Sequence, residues 1–138
     1  MIGFLRGLFL LILAFMVGIT TWASRQCPLF GVPHVVATHP WFLATMGDAY
    51  WGFVTFYVWV CYRQVSWTAR LAWILAILAL GNIAMSSYCL AALSEAPGNG
   101  KLSDVLIARK QGPGWLGIIL AVVGVAVTVA AAFDHSPR

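Results

Sequence analysis

The hydrophobic positions of this chain fall into four long blocks, separated by short breaks rich in Pro, Gly and charge. About 20 consecutive apolar residues in a helix, at ~1.5 Å each, cover the ~30 Å hydrocarbon core of a bilayer. The blocks predict helices near 4–23, 41–62, 71–93 and 115–133. Pro40 suits the first position of the second helix, where no N–H is needed. Only the stretch R-Q-V-S-W-T-A-R, residues 63–70, separates the second block from the third, so those two helices should form an antiparallel hairpin. The expected fold is an all-α membrane protein, a four-transmembrane-helix bundle in a single domain over 1–138. The first block, with Arg6 near its start and Thr21 and Ala23 near its end, also has features of a signal peptide. It is longer than a usual signal core and ends on Trp22, an interfacial residue, so it is read as a retained span.

The breaks carry the turn chemistry. Pro28, Gly31, Pro33 and Pro40 exclude a long helix between the first two spans. Residues 94–114 form the longest polar stretch, with a P-G-N-G turn and a G-P-G stop. Between them an interfacial loop or short helix is expected over 101–111, capped by Ser103 and ending on Arg109 and Lys110.

Composition turns this pattern into a class. The chain is 62% hydrophobic and 9% charged, with a mean hydropathy of +0.89. Soluble domains have about 45–50% apolar and about 25% charged residues. The lipid bilayer is therefore the expected partner, and the cytoplasmic (inner) membrane the expected location. The net charge of +4 is spread along the chain, which disfavours nucleic acid. Cys27, Cys61 and Cys89 lack C-x-x-C spacing and read as small buried hydrophobes; a Cys27–Cys89 bridge would need both on the oxidising side. His34 and His39 are five apart, unlike a helical metal pair. They read as interfacial, with a metal or pigment magnesium as the alternative. No metal and no cofactor is expected.

One residue conflicts with its block. Asp48 lies inside the second span, and a carboxylate at membrane depth costs a few kcal/mol unless partnered. Counting along straight helices from the turn, Asp48 is ~21 Å deep, Asn82 ~16 Å and Ser86 ~22 Å. Asp48, Thr55, Asn82 and Ser86 are thus expected as a buried polar cluster between facing stripes. Tyr50, Trp51 and Trp59 are candidates for lining a ligand slot beside it. In the last block, Gly117, Ala121, Gly124 and Thr128 recur on one stripe, a small-residue seam that lets another helix approach closely. That helix belongs either to the same chain or to a homo-oligomer or larger membrane complex. With four spans, four basic residues fall on each side, and the positive-inside count is tied. The amino group tips the reading towards N-in, C-in.

Residues 39–93 carry a more specific pattern: P-W-F-L-A-T at 40–45, Asp48 with Tyr50, W-V-C-Y at 59–62, S-W at 66–67, Trp73, and G-N-I-A at 81–84. This stretch resembles an uncharacterised family of small multi-pass membrane proteins, domain of unknown function 1475. The resemblance implies a membrane protein and supplies neither an activity nor site residues.

No catalytic motif is present: there is no G-x-S-x-G, H-E-x-x-H, P-loop or paired carboxylate. The four acids are Asp48, Glu95, Asp104 and Asp134. A non-catalytic scaffold or accessory subunit of a membrane complex is the leading reading. A small membrane enzyme or binder of an isoprenoid, quinone or pigment, using Asp48, is one alternative. An oligomeric proton-linked carrier is another.

Overall fold

The computed structural model describes residues 1–95, 101–110 and 114–134. The P-G-N-G turn, most of the G-P-G stop and the tail after Asp134 lie outside the described residues. The rest is helical: α1 (Ile2–Gln26), α2 (His34–Ala37), α3 (Pro40–Arg63), α4 (Trp67–Leu80), α5 (Asn82–Ser94), α6 (Leu102–Ile107) and α7 (Trp115–Asp134). There is no strand among the described residues, only one isolated backbone pairing between Gln64 and Lys110.

Three helices are long. At 25, 24 and 20 residues, α1, α3 and α7 measure roughly 37, 36 and 30 Å. Two of them, over Ile2–Gln26 and Trp115–Phe133, have the length and apolarity to cross a membrane. Pro40 opens α3, where the His39 side chain also accepts from the Trp41 N–H at 3.3 Å.

The third apolar block departs from expectation. A single helix over 71–93 is replaced by α4 and α5, of 14 and 13 residues, which meet at Gly81. A straight helix would separate Trp73 from Tyr88 by ~22 Å. Their ring centroids are 4.7 Å apart. The Tyr88 ring also meets Phe56 and Trp59 on α3 at 5.9 and 5.3 Å. The chain therefore runs up α4, reverses at Gly81 and returns along α5 to the level it left. The physical reason is local. Gly81 has φ +54° and ψ −126°, which L side chains rarely adopt, and a Cβ there would stand 2.9 Å from the Phe53 ring. Glycine alone permits both the reversal and the close approach of Phe53.

The remaining pairings follow. The α3–α4 reversal is tight: Tyr57 donates to the Arg70 carbonyl at 2.9 Å. The two helices in most extensive contact are α4 and α7, followed by α1 and α5. The α4–α7 pairing is parallel: Gly114 abuts Ala69, Gly117 abuts Trp73, and Gly124 abuts Ala79 and Leu80. Antiparallel to α5, α1 seats Ile2 in a cluster with Ala92, Leu93 and Val105, while Arg6 donates to the Leu93 carbonyl at 2.6 Å. Short helix α6 completes that cluster. Its first turn is closed by Asp104, which accepts from the Lys101 N–H at 3.3 Å, in place of the expected Ser103 cap.

One end of the molecule thus gathers the start of α1, the end of α3, the start of α4, the end of α5, α6 and the start of α7. At the other end are the α4–α5 turn, the end of α1 and the end of α7, where Ser24, Leu80 and Ala131 line a common cleft.

Candidate functional site

The gathered end holds a buried polar centre. It begins where α3 stops. Gln64 leaves the helix with extended backbone, and the chain there pairs with residue 110: the Lys110 N–H donates to the Arg63 carbonyl at 2.7 Å, and the Val65 N–H to the Lys110 carbonyl at 3.1 Å. These bonds hold Arg63 and Gln64 under the 108–110 segment, where they are 3% and 2% exposed.

Arg63 Nε donates to the Ala108 carbonyl at 3.0 Å. Its guanidinium lies 5.5 Å from the Trp59 ring centroid and 5.7 Å from that of Tyr88. Such cation–π contacts gain strength when desolvated. Gln64 Nε2 donates to the Tyr88 hydroxyl at 3.4 Å, and the Gln64 carbonyl accepts from Arg70 Nε at 2.8 Å. Tyr88 itself stands edge-on to Phe56, Trp59 and Trp73. Trp59 donates through Nε1 to the Leu106 carbonyl at 3.1 Å, tying this cluster to α6.

Beside these groups opens a cavity of about 270 Å³, lined by Arg63, Gln64, Trp73 and Tyr88, with Glu95 and Lys110 also in its wall. Glu95 and Lys110 form an ion pair. Across Ala92 lies a second, wholly apolar cavity of about 330 Å³ between α1, α5 and α6. The polar cavity offers hydrogen-bond donors and positive charge; its one carboxylate is engaged by a lysine.

The residues singled out from sequence lie elsewhere. Asp48 is exposed, and no hydrogen bond to its carboxylate is found among the described residues. Thr55 and Asn82 are exposed as well, and the Thr55 hydroxyl donates to the Trp51 carbonyl of its own helix at 2.9 Å. Ser86 is buried. The structure does not bring these four together. The depth count assumed a straight third helix; the reversal at Gly81 carries Ser86 back towards the Arg63 end. Tyr50, Trp51 and Trp59 share no slot: Trp51 is 73% exposed, Tyr50 lines a groove near the opposite end, and Trp59 lines the apolar cavity. Gly117, Ala121 and Gly124 are buried in the α7 face that meets α4, and the Thr128 hydroxyl donates to the Gly124 carbonyl at 2.9 Å. His34 is exposed, His39 caps α3, and the three cysteines are free. Among the described residues no three His, Cys, Asp or Glu side chains cluster as a metal site would require.

The centre at Arg63 was missed because R-Q reads as a charged turn. Two signals were available: the Arg-Gln pair abutting an aromatic-rich helix end, and a Gly-Asn inside an apolar block, which marks a break.

No curated protein and no solved structure matches the chain. A family model, described as a protein of unknown function (DUF1475), matches residues 1–114. That range extends past the stretch that carried the resemblance and takes in α1, α6 and every polar residue of the cavity. The chain belongs to the DUF1475 family of proteins of unknown function.

Proposed function

We propose that this protein is a non-catalytic integral membrane subunit that docks another membrane protein through the outer halves of α1 and α3. Its membrane arrangement is three crossings, α1, α3 and α7, with α4–α5 as a re-entrant hairpin entering from the basic end. At 14 and 13 residues, α4 and α5 reach only ~20 Å each, short of the ~30 Å core. Non-spanning backbone at membrane depth is tolerated where protein packs against it, and α1 packs on α5 while α3 and α7 pack on α4, leaving Asn82 at the tip exposed. Arg6, Arg63, Arg70, Lys101, Arg109 and Lys110 then share one face of the membrane, with Arg25 opposite. The charge tie of a four-span count becomes six against one among the described residues. The positive-inside rule puts the amino terminus and the basic end in the cytoplasm, with the end of α7 across the membrane.

One observation carries the docking role. Asp48 sits exposed on a helix of spanning length, with no ion pair or hydrogen bond to its carboxylate among the described residues. A second open surface lies on α1, where every residue from Val17 to Gln26 is exposed. Lipid satisfies an apolar helix face and leaves a carboxylate unsatisfied. A partner helix bearing a hydrogen-bond donor or cation at that depth satisfies both.

The test is site-specific photocrosslinking from Gly52, one turn from Asp48, in native membranes. The expected result is one adduct with another membrane protein, kept in Asp48→Asn and lost in Asp48→Leu. Adducts with lipid alone, or only with a second copy of the chain, would contradict the accessory-subunit reading.

A further inference from the structure

The polar cavity under Tyr88 has a charge its own walls do not balance. Arg63 is 3% exposed, its Nε donates to the Ala108 carbonyl, its guanidinium also lies against the Tyr88 hydroxyl, and none of the described carboxylates lies within ion-pair distance of it. Lys110 and Glu95 neutralise each other, so two cations face one carboxylate and one positive charge is left over. Beside Arg63, Gln64 is 2% exposed, and its Oε1 is buried with no hydrogen-bond partner among the described residues. Native proteins seldom leave a buried amide oxygen unsatisfied, and those that do call for an explanation.

We propose that this cavity binds a phosphate ester that carries a neighbouring hydroxyl. The phosphate lies against the guanidinium of Arg63, whose planar fork suits two phosphate oxygens. The hydroxyl donates to Gln64 Oε1. About 270 Å³ is below the range of drug-sized sites and suits a headgroup-sized occupant. Trp115 and Leu116 also line the cavity and are exposed, which gives an attached acyl chain an apolar exit beside α7. Two sources supply this chemistry: a glycerophospholipid headgroup and a small soluble phosphate ester. The site rests on cavity geometry alone and does not depend on docking at Asp48.

The experiment uses the full chain in mild detergent. Native mass spectrometry compares adducts with phosphatidylglycerol, which is anionic and hydroxylated, and phosphatidylcholine, which is neutral overall and lacks the hydroxyl. Thermal shift of delipidated protein is measured with glycerol 3-phosphate. Wild type should retain phosphatidylglycerol about tenfold more than phosphatidylcholine, on the scale of one charge-assisted hydrogen bond. Arg63→Met should abolish the preference. Gln64→Leu guards against a variant that fails to fold: it removes the orphan oxygen together with the 3.4 Å hydrogen bond to Tyr88, two opposing effects, so it should melt within a few degrees of wild type without ligand, yet lose the phosphatidylglycerol preference. A glycerol 3-phosphate shift that disappears in Gln64→Leu assigns the soluble source; phosphatidylglycerol retention without such a shift assigns the lipid. Equal retention of the two lipids with no glycerol 3-phosphate shift overturns the proposal. So does a ligand response that Gln64→Leu leaves unchanged.

Discussion

Replacing Gly81 by alanine tests how the chain reverses. Two costs add. The backbone at φ +54° and ψ −126° belongs to glycine, and a residue held in such a sparsely populated region costs about 1–3 kcal/mol. The new Cβ would also stand 2.9 Å from Phe53 Cζ and 3.4 Å from Cε2, so the ring must move. Overpacking of this kind costs about 1–3 kcal/mol, towards the low end here because the intruded atom is the far edge of a ring. The sum is roughly 2–4 kcal/mol. Phe53→Leu removes the clash and leaves the backbone strain. A double-mutant cycle therefore separates the terms: Gly81→Ala combined with Phe53→Leu should lose less than the two singles added, by about 1 kcal/mol or more. Reversible unfolding in mixed micelles, followed by tryptophan fluorescence, supplies the free energies. If Gly81→Ala is silent, or the double variant is strictly additive, the reversal does not depend on glycine in the way described.

Two further outcomes follow from packing. Gly124→Leu on α7 should destabilise more than Val123→Leu one position away, because a Cβ at Gly124 meets Ala79 at 2.7 Å whereas Val123 is exposed; thermal melts of the two variants give the comparison. Tyr88→Ala should cost about 3–5 kcal/mol, the range for truncating a large buried aromatic to alanine, since it empties the ring position shared by Phe56, Trp59 and Trp73; Tyr88→Phe, which keeps the ring and loses the hydroxyl's contacts with Gln64 and Arg63, should cost about 1 kcal/mol or less in the same melts.

Hydropathy located the rods well and their directions poorly. The blocks at 4–23, 41–62 and 115–133 lie within α1, α3 and α7, because a long apolar run has few choices other than helix. The third block misled because periodicity reports which residues are apolar, and says nothing of where the axis points. Gly81-Asn82 lies inside an apolar run read as one continuous helix, although its physical meaning is a positive φ and a reversal. Every later depth estimate inherited that straight axis. A straight axis puts Asp48 level with Ser86 and the basic residues of 101–110 at the end away from Arg63, whereas the structure brings Lys110 against Arg63. The polar centre escaped notice for a second reason. Arg63 and Gln64 are buried by residues 108–110, some 45 positions away, and such long-range backbone pairing leaves no local signature in a turn-like R-Q-V-S.

The reversal at Gly81 underlies both the proposed three-crossing arrangement and the gathering of charge at one end, and a single distance tests it. Spin labels at Thr68 and Ser94, both exposed, are introduced in a chain whose three native cysteines are replaced, and their separation is measured by pulsed electron resonance in a bilayer. One continuous helix would hold these positions ~39 Å apart. The folded-back hairpin, with Trp73 against Tyr88 and Glu95 paired to Lys110 beside the start of α4, predicts less than half of that. A single distribution near the straight-helix value would contradict the account.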